Sequence, residues 1–181
     1  MRAGRAAAKL YVGLGGNVGS ERELRDRFGA AAAAVAKLPY ATEVERSSTY
    51  LTAPQGPFRD QAPFLNAVLG FGRGASVDPV AVLADLLAIE ATLGRDRAHE
   101  QSLGPRLIDL DLLLCGDRVL CAAGPPAVEV PHPRLVERAF ALTPLAELAG
   151  YDLQLPGIAE TIGERLADPL VRAQPISRLP G

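Results

Sequence analysis

The segment LIDLDLLL (107–114) constrains the fold and the chemistry of this chain most strongly. Asp109 and Asp111 alternate there with aliphatic residues, and residues two apart lie on the same face of a β-strand. The pattern predicts a strand with both carboxylates on one face and aliphatic side chains on the other. The apolar neighbours favour a buried strand over the alternative, a solvated edge strand with two surface aspartates.

Two carboxylates on one strand face require a nearby positive charge. At a rise of about 3.3 Å per residue their Cα atoms lie roughly 7 Å apart, where two unit charges repel by roughly 2 kcal/mol at an effective dielectric constant of about 20. Mg²⁺ suits this position best, because it takes one or two protein carboxylates and completes its coordination with water and phosphate oxygens. Arg106 lies just upstream, behind a Gly-Pro pair.

The cationic residues are almost all arginine, since only Lys9 and Lys37 among 19 are lysines. A phosphate site in this chain must therefore use guanidinium groups, which hold phosphate oxygens in a planar fork. The net charge of -2 predicts no general attraction to nucleic acid or anionic membranes. At 181 residues, we expect one domain over 1–181, with a loose arm at 1–8 and an irregular tail at 168–181.

Neither the cysteines nor the hydropathy pattern indicates a secreted or membrane protein. Cys115 and Cys121 lack a clustered partner, which predicts reduced thiols rather than zinc binding or a disulfide framework. The N-terminal segment has no signal-peptide core, and no apolar run approaches the roughly 20 residues of a membrane span. We therefore expect a cytoplasmic monomer that acts on small molecules, without nucleic-acid or membrane partners.

The first part of the chain predicts a strand at 10–14, a glycine-rich turn and a helix up to residue 38. Ser20 and Glu23 form a capping box at the start of this helix. The glycines match neither a dinucleotide fingerprint nor a Walker loop, because Val18 and its neighbours lack the residues those motifs require. They are predicted to allow a close turn, with a ligand near the helix N-terminus left as an alternative.

The remaining elements follow the order of a split βαβ fold. Predicted after the first helix are strands at 43–51 and 64–71, a helix at 78–93, the aspartate strand, a short strand within 119–130, and helices at 142–148 and 157–166. This order predicts an α/β (α+β) ferredoxin-like fold, in which helices pack on the faces of an antiparallel sheet.

Several residues combine possible functional chemistry with a structural alternative. Phe64 and Asn66 share one side of a predicted strand, where a ring and an amide can stack on and hydrogen-bond to a flat heterocycle. An asparagine satisfied by loop backbone is an equally supported alternative. Glu90 falls on a predicted apolar helix stripe formed by leucines 83, 86, 87 and 93, so it needs a partner or a place at the core margin. His132 stands between two prolines, and its role stays open between structure and function.

Charged residues accumulate around the aspartate strand. Between positions 90 and 111 the chain carries Glu90, Arg95, Arg97, Arg106, Asp109 and Asp111. A solvated surface cluster is the simpler explanation, but it does not explain why both aspartates share one face.

Six motifs occur in order along the chain: YLTAPQG (50–56), FLN (64–66), GRDR (94–97), GPRLIDLD (104–111), PHPRL (131–135) and RAF (138–140). Together they resemble the 6-hydroxymethyl-7,8-dihydropterin pyrophosphokinase family of folate synthesis, over about residues 10 to 148. The resemblance implies a ferredoxin-like enzyme that transfers pyrophosphate from ATP to the pterin hydroxymethyl group, giving AMP and the pterin diphosphate.

The resemblance also implies roles for individual residues. Asp109 and Asp111 would hold two Mg²⁺ ions, with Arg95 and Arg106 as further catalytic residues. ATP would be bound by Glu90, Arg97, Ile108, His132 and Arg138. The pterin would be bound by Thr52, Pro54 and Asn66, with Phe64 and Phe140 on the two faces of its ring.

Two departures from the family pattern precede Gly104. Leu103 stands where many relatives have tryptophan, and Ser102 stands where arginine is common. These changes predict weaker nucleotide binding or faster product release.

Two other functions compete with this interpretation. A ferredoxin-like RNA-binding module would carry aromatic residues on its central strands within a basic segment. A Mg²⁺-dependent phosphohydrolase would use the same aspartates with water as acceptor, and would not need Asn66 beside aromatic rings.

Overall fold

A six-stranded antiparallel sheet forms the centre of the computed structural model, which describes residues 9–56, 58–73, 77–101 and 103–181. Its strands, with those of a separate hairpin, are β1 (Leu10–Gly16), β2 (Ala41–Arg46), β3 (Tyr50–Thr52), β4 (Phe64–Arg73), β5 (Asp109–Cys115), β6 (Leu120–Ala122), β7 (Val128–Val130) and β8 (Ile176–Arg178). The helices are α1 (Glu21–Val35), α2 (Pro79–Thr92), α3 (Ala139–Ala149), α4 (Ile162–Ala167) and α5 (Pro169–Arg172), with a 3₁₀ helix at Leu135–Glu137. The predicted arm at 1–8 and the departure at Ser102 lie outside the described residues.

The strand order confirms the ferredoxin-like prediction. The sheet runs β5-β1-β4-β3-β8, and β2 also pairs with β4. β1 pairs antiparallel with both β4 and β5, so the aspartate strand lies directly beside the glycine-rich first strand. The β6–β7 hairpin forms a separate two-stranded sheet.

Local capping chemistry fixes where the first two helices begin. The Ser20 hydroxyl accepts from Glu23 N, and the Glu23 carboxylate accepts from Ser20 N at 2.7 Å, which confirms the capping box. Asp78 caps α2 through Val80 N at 3.1 Å, with Pro79 at the first helical position. These side chains satisfy N–H groups that have no partner within the helix.

The buried face of α2 differs from the predicted leucine stripe. The leucines at 83, 87 and 93 are only partly buried. The buried residues are Pro79, Val82, Leu86, Ile89 and Glu90. Most positions of α2 are apolar, so the sequence pattern does not define one stripe, and packing against the sheet decides the orientation.

The two faces of the sheet carry different helices. α1 and α2 cover one face, where residues such as Val12, Leu69 and Leu110 form the larger core. α3 and α4 cover part of the other face, against residues such as Tyr11 and Val68. This second face is also the one on which Asp109 and Asp111 lie.

The prediction that the aspartate strand is not an edge strand is wrong, because among the strands of the described residues β5 pairs with β1 alone. The alternation itself is correct, since Leu110 and Leu112 are buried while both aspartates stay partly exposed. Other segments cover the free edge: the Glu90 carboxylate accepts from Leu110 N at 2.6 Å, and His132 N donates to Leu113 O at 2.9 Å. A buried edge strand can therefore carry the apolar pattern of an internal one.

Two predictions for the C-terminal part are also wrong. The last predicted helix begins at Ile162 rather than 157, because the Thr161 hydroxyl caps it there and residues 154 and 161 form a β-bridge. The predicted irregular tail contains α5 and β8, and β8 extends the sheet beside β3. None of the helices in the described residues has the length and hydropathy needed to cross a bilayer.

Candidate active site

On the sheet face that carries Asp109 and Asp111, two positions of β1 are glycines and so have no side chain. Gly15 pairs with Asn66 on one side and with Asp109 on the other. A Cβ atom at Gly15 would lie 3.5 Å from Asn66 Oδ1 and 3.8 Å from Asp109 Cβ. Gly13 faces the same side, so these two positions leave an open floor between an amide and the two carboxylates.

Two adjoining clefts open above this floor. The first, here called the amide cleft, includes Thr52, Phe64, Asn66 and Phe140 in its wall. The second, here called the charged cleft, includes Arg95, Arg97 and Glu100. Residues that line both clefts are Leu103, Arg106, Asp109, Asp111, His132 and Arg138. The two aspartates thus lie at the boundary between a cationic and an aromatic space.

Glu90 is the buried anchor beneath the charged cleft. Its side chain is 1% exposed, and its carboxylate accepts from Arg95 Nη1 at 2.8 Å and from Arg97 Nε and Nη2 at 2.7 and 2.9 Å. It also accepts from Leu110 N, as described above. A buried carboxylate with this many donors fixes both arginines relative to β5.

Asp109 is surrounded by guanidinium groups. Its Oδ2 accepts from Arg106 Nη1 at 2.6 Å, and its Oδ1 accepts from Arg95 Nη1 and, at 3.4 Å, from Arg97 Nη2. Burial alone would raise the pKa of Asp109, but the charges of Arg106 and Arg95 and their hydrogen bonds lower it below its usual value. Asp109 is therefore ionised at neutral pH without a metal.

Asp111 lies in a different environment on the same strand face. Within the described part of the chain, its carboxylate takes part in no hydrogen bond or ion pair. Burial and the neighbouring charge of Asp109 raise its pKa to about 6. An added cation would relieve both effects, since it would favour the ionised form.

The donor set at this boundary fits Mg²⁺ better than a transition metal. Among the described residues, no group of three or more His, Cys, Asp or Glu side chains could hold a metal ion. Two carboxylates with open space on both sides suit an ion that takes its remaining ligands from water and substrate phosphates. Asp111 in particular has free acceptor oxygens for such an ion.

The amide cleft contains one internal polar pair. Asn66 Nδ2 donates to Thr52 Oγ1 at 2.8 Å, and both residues are buried. The Asn66 carbonyl oxygen and the second amide hydrogen have no other hydrogen-bond partner among the described residues and are therefore available to a ligand. Phe64 and Phe140 line the same cleft, and each ring lies below a guanidinium, Arg106 at 5.8 Å and Arg138 at 5.3 Å.

His132 and Arg138 complete the boundary. Burial and the charge of Arg138 lower the pKa of His132 to about 4, so the imidazole is neutral at pH 7. Its Nδ1 accepts from Arg134 N at 3.1 Å, which assigns the ring proton to Nε2. Arg138 Nε is buried without a hydrogen-bond partner among the described residues, as expected for a group that contacts a ligand.

Most of the predicted site residues converge on these clefts, but three do not line either of them. Glu90 is buried beneath the arginines, the Ile108 side chain is fully buried in the core, and Pro54 is flanked by lining residues without being one. Their direct contact with a ligand stays a prediction.

Sequence reasoning missed Asn17, which joins the loops around the site. Its Oδ1 accepts from Arg106 N at 2.9 Å, and its Nδ2 donates to Gln61 Oε1 and Ala62 O, both at 3.0 Å. Asn17 N also donates to Arg106 O at 3.0 Å. The sequence did contain a signal for Asn17, since it is a polar residue that directly follows two glycines at the end of a buried strand.

Comparisons with known proteins identify the family of this chain. The sequence model of the 7,8-dihydro-6-hydroxymethylpterin-pyrophosphokinase (HPPK) family matches residues 11–150. The 2-amino-4-hydroxy-6-hydroxymethyldihydropteridine pyrophosphokinase of Pseudomonas aeruginosa is 39% identical over 176 residues, 96% of this chain and 98% of the relative. The Bacillus subtilis protein of the same name is 39% identical over 139 residues, 76% of each chain.

A solved structure supports the fold alone. The HPPK-DHPS chain of Plasmodium falciparum superposes with a TM-score of 0.68 at 12% identity, over 96% of this chain and 48% of that one. This chain thus spans about half the length of that solved chain. The family match over residues 11–150 and the similarity over 98% of the Pseudomonas aeruginosa relative lead to one conclusion: the chain belongs to the 7,8-dihydro-6-hydroxymethylpterin-pyrophosphokinase family.

Proposed function

We propose that this chain transfers the pyrophosphoryl group of ATP to the hydroxymethyl group of 6-hydroxymethyl-7,8-dihydropterin, giving AMP and the pterin diphosphate for tetrahydrofolate synthesis. The observation that carries the proposal is the position of Asp109 and Asp111 at the boundary of two unlike clefts. A transfer between two substrates requires that both meet at one point in a fixed orientation. Family membership supplies the identity of the two substrates.

The charged cleft is the proposed site of the ATP phosphates. Arg95, Arg97, Arg106 and Arg138 provide permanent positive charge in a geometry that suits phosphate oxygens. Arg95 and Arg106 are already held beside Asp109, so little reorganisation is needed when charge develops on the transferred group. Glu90 acts through these arginines as a positioning residue.

Asp109 and Asp111 are the proposed ligands of two Mg²⁺ ions. When bound, the ions neutralise charge on the phosphates and help to align the attacking and leaving oxygens. The two carboxylates fix where that charge is placed, because they share one face of a strand that is paired to β1 and anchored by Glu90.

The amide cleft is the proposed pterin site. Asn66 offers an amide edge to the heterocycle and is oriented by Thr52, while Phe64 and Phe140 provide the two stacking faces. Pro54 lies in the adjoining loop. This arrangement would direct the hydroxymethyl group towards the aspartate boundary.

The chemical step breaks one bond and forms one. The hydroxymethyl oxygen bonds to the β-phosphorus as the bond from that phosphorus to the α–β bridging oxygen breaks, and the bridging oxygen leaves with AMP. A carboxylate or phosphate oxygen at the boundary accepts the hydroxyl proton. Arg95 and Arg106 stabilise the charge that passes to the leaving group.

The two competing functions account for less of the structure. The sheet face that an RNA-binding module would use for stacking is partly covered by α3, beneath which Tyr11 is buried. A phosphohydrolase would explain the charged cleft but not the amide cleft.

Product analysis tests the proposal. Purified protein with ATP, Mg²⁺ and the hydroxymethyl-dihydropterin should release AMP, and only when the pterin is present. A 6-methyl-dihydropterin, which lacks the acceptor hydroxyl, is the matched control and should give no AMP. ADP as product, or phosphate release without pterin, would overturn the proposal.

We also propose that the protein acts as a cytoplasmic monomer without a nucleic-acid partner. Light scattering after size-exclusion chromatography tests the monomer, since a mass of twice 19.0 kDa would contradict it.

A further inference from the structure

Gln174 lies between α5 and β8, beyond the segment matched by the family model. Its side-chain amide nevertheless joins two segments of the site. Gln55 Nε2 donates to Gln174 Oε1 at 2.7 Å, and Ala139 N donates to the same oxygen at 2.9 Å. Gln174 Nε2 in turn donates to Glu137 O at 2.6 Å. One carboxamide thus connects the loop after β3 to the start of α3.

These hydrogen bonds lie on either side of Arg138. The residue at the N-cap of α3 is Arg138, whose side chain makes no capping hydrogen bond. Gln174 supplies the acceptor for the first N–H of α3 instead, and so acts as a cap from a distant part of the chain. Because Arg138 Nε has no partner among the described residues, the flanking backbone is an important restraint on where the guanidinium lies.

We propose that Gln174 is a positioning residue of the pterin site, which holds the Gln55 wall against the wall formed by Arg138 and Phe140. All three of these residues line the amide cleft, whereas Gln174 lines neither cleft. It therefore acts through its partners and does not touch the substrate. The inference rests on the proposed function, because that function identifies the ligand of the amide cleft as a pterin.

The Gln174→Ala variant tests this role through individual kinetic constants. Without the amide, the two walls are no longer tied, so the site must be ordered when the pterin binds. We expect the KM for pterin to rise about tenfold and kcat to change less than threefold. The KM for ATP should rise by a smaller factor than the KM for pterin, because Arg138 also lines the charged cleft. A loss of kcat at unchanged pterin KM, or no change at all, would overturn the proposal.

Further variants separate positioning from general stability. Gln154→Ala is the matched control and should leave all constants unchanged. The side chain of this exposed glutamine makes one long hydrogen bond within the described residues, 3.5 Å to Ile158 O. Gln174→Glu keeps an acceptor for Gln55 and Ala139 but loses the donor to Glu137, so its pterin KM should rise by an intermediate factor.

A double-mutant cycle with Gln55→Ala tests the connection itself. If Gln174 acts through Gln55, the double variant should lose less pterin affinity than the two single losses combined. If the loss of pterin affinity in the double variant equals the product of the two single fold losses, the proposal is overturned. Should Gln174→Ala fail to fold, Gln55→Ala and Gln174→Glu carry the test, and wild-type pterin affinity in both would overturn it.

Binding measurements distinguish this inference from the proposed function. Equilibrium dialysis of the pterin with Mg²⁺ and α,β-methylene ATP, whose α–β bridge cannot be cleaved, gives a dissociation constant without turnover. We expect about tenfold weaker binding in Gln174→Ala. A wild-type chain that forms AMP while Gln174→Ala binds pterin normally overturns the inference alone. A wild-type chain that neither forms AMP nor binds pterin overturns both.

Discussion

The charged cleft and the amide cleft are built in opposite ways on one sheet face. In the charged cleft, buried Glu90 holds Arg95 and Arg97, and Asp109 holds Arg95 and Arg106. The amide cleft depends on glycines that leave its floor open, on the hydrogen bond between Asn66 and Thr52, and on the uncharged Gln174 amide that connects its walls. Changes in the charged cleft should therefore alter stability and catalysis together, whereas changes in the amide cleft should alter substrate affinity with little effect on stability.

The largest effect is expected at the boundary between the clefts. Asp111→Asn and Asp109→Asn should each lower the rate of AMP formation at least about a thousandfold, which corresponds to about 4 kcal/mol of lost transition-state stabilisation at a metal site. Chromatography of the nucleotide products measures the rate. Asp26→Asn on the exposed surface of α1 is the control, and near-normal rates in either boundary variant would place the metal elsewhere.

The next effect concerns stability at the base of the charged cleft. Glu90→Gln removes the buried carboxylate that joins Arg95 and Arg97 to β5, and leaves Asp109 and Glu100 as the carboxylate partners of Arg95. The free energy of unfolding should fall by about 3 kcal/mol, the cost of breaking a buried ion pair by removing one partner. Urea unfolding measures the loss, and Glu21→Gln, which removes an exposed partner of Arg25, should change it by less than about 0.5 kcal/mol. Equal losses of unfolding free energy in Glu90→Gln and Glu21→Gln would show that the ion pairs beneath the charged cleft do not stabilise the fold.

A smaller and more selective effect is expected in the amide cleft. Asn66→Ala removes hydrogen bonds that we assign to the pterin, so the KM for pterin should rise roughly thirtyfold, or about 2 kcal/mol. The KM for ATP serves as the internal control and should stay within about threefold. A parallel rise in both constants would mean that the two clefts do not bind separate substrates.

The smallest effect is a pH dependence of folding in the absence of ligands. Asp111 has a folded-state pKa of about 6, above its unfolded value, so its contribution to stability is complete below pH 4 and is lost as the pH rises through 6. His132 has the opposite effect, because its pKa of about 4 lies below its unfolded value and its contribution is lost as the pH falls below about 6.5.

Comparison with Asp111→Asn isolates the contribution of the carboxyl group. Between pH 5 and 7, the free energy of unfolding of the wild type should fall by about 1 kcal/mol relative to this variant. Denaturant unfolding at both pH values measures the difference. A difference that stays constant, or that grows with pH, would contradict the environment described for Asp111.

The fold was predictable where local sequence signals are strong. The capping box at Ser20, the Asp78-Pro79 helix start and the alternation at 108–112 each arise from neighbouring residues, and each appears in the structure. β8 was not predictable, because a strand of three residues gains its stability from pairing with the distant β3. The edge position of β5 was missed for a related reason. The residues that cover its free edge, Glu90 and His132, belong to other segments of the chain.

The site was predictable where polar functional residues and apolar residues alternate along a single strand. Asp109 and Asp111 share one face because strand periodicity places them there, and Arg95 and Arg106 meet Asp109 as the charge pattern indicated. Asn66 joins the same sheet face through the register of β4 and β5 on β1, which the sequence does not reveal. The sequence marks the position of Asn17 after two glycines, but the hydrogen-bond partners of Asn17 and Gln174 could not be predicted, because they lie in loops that only the tertiary structure brings together. Glu90 was correctly expected to need a partner, but not to be fully covered by two arginines and a backbone amide.

Calorimetric titration tests the central claim, that Asp109 and Asp111 join nucleotide and metal at the cleft boundary. α,β-Methylene ATP is titrated into the wild type and into Asp111→Asn, each with and without Mg²⁺. We expect Mg²⁺ to tighten binding to the wild type at least about tenfold, and to give no such gain in the variant. An equal gain in both proteins, or no Mg²⁺ dependence in the wild type, would contradict the account.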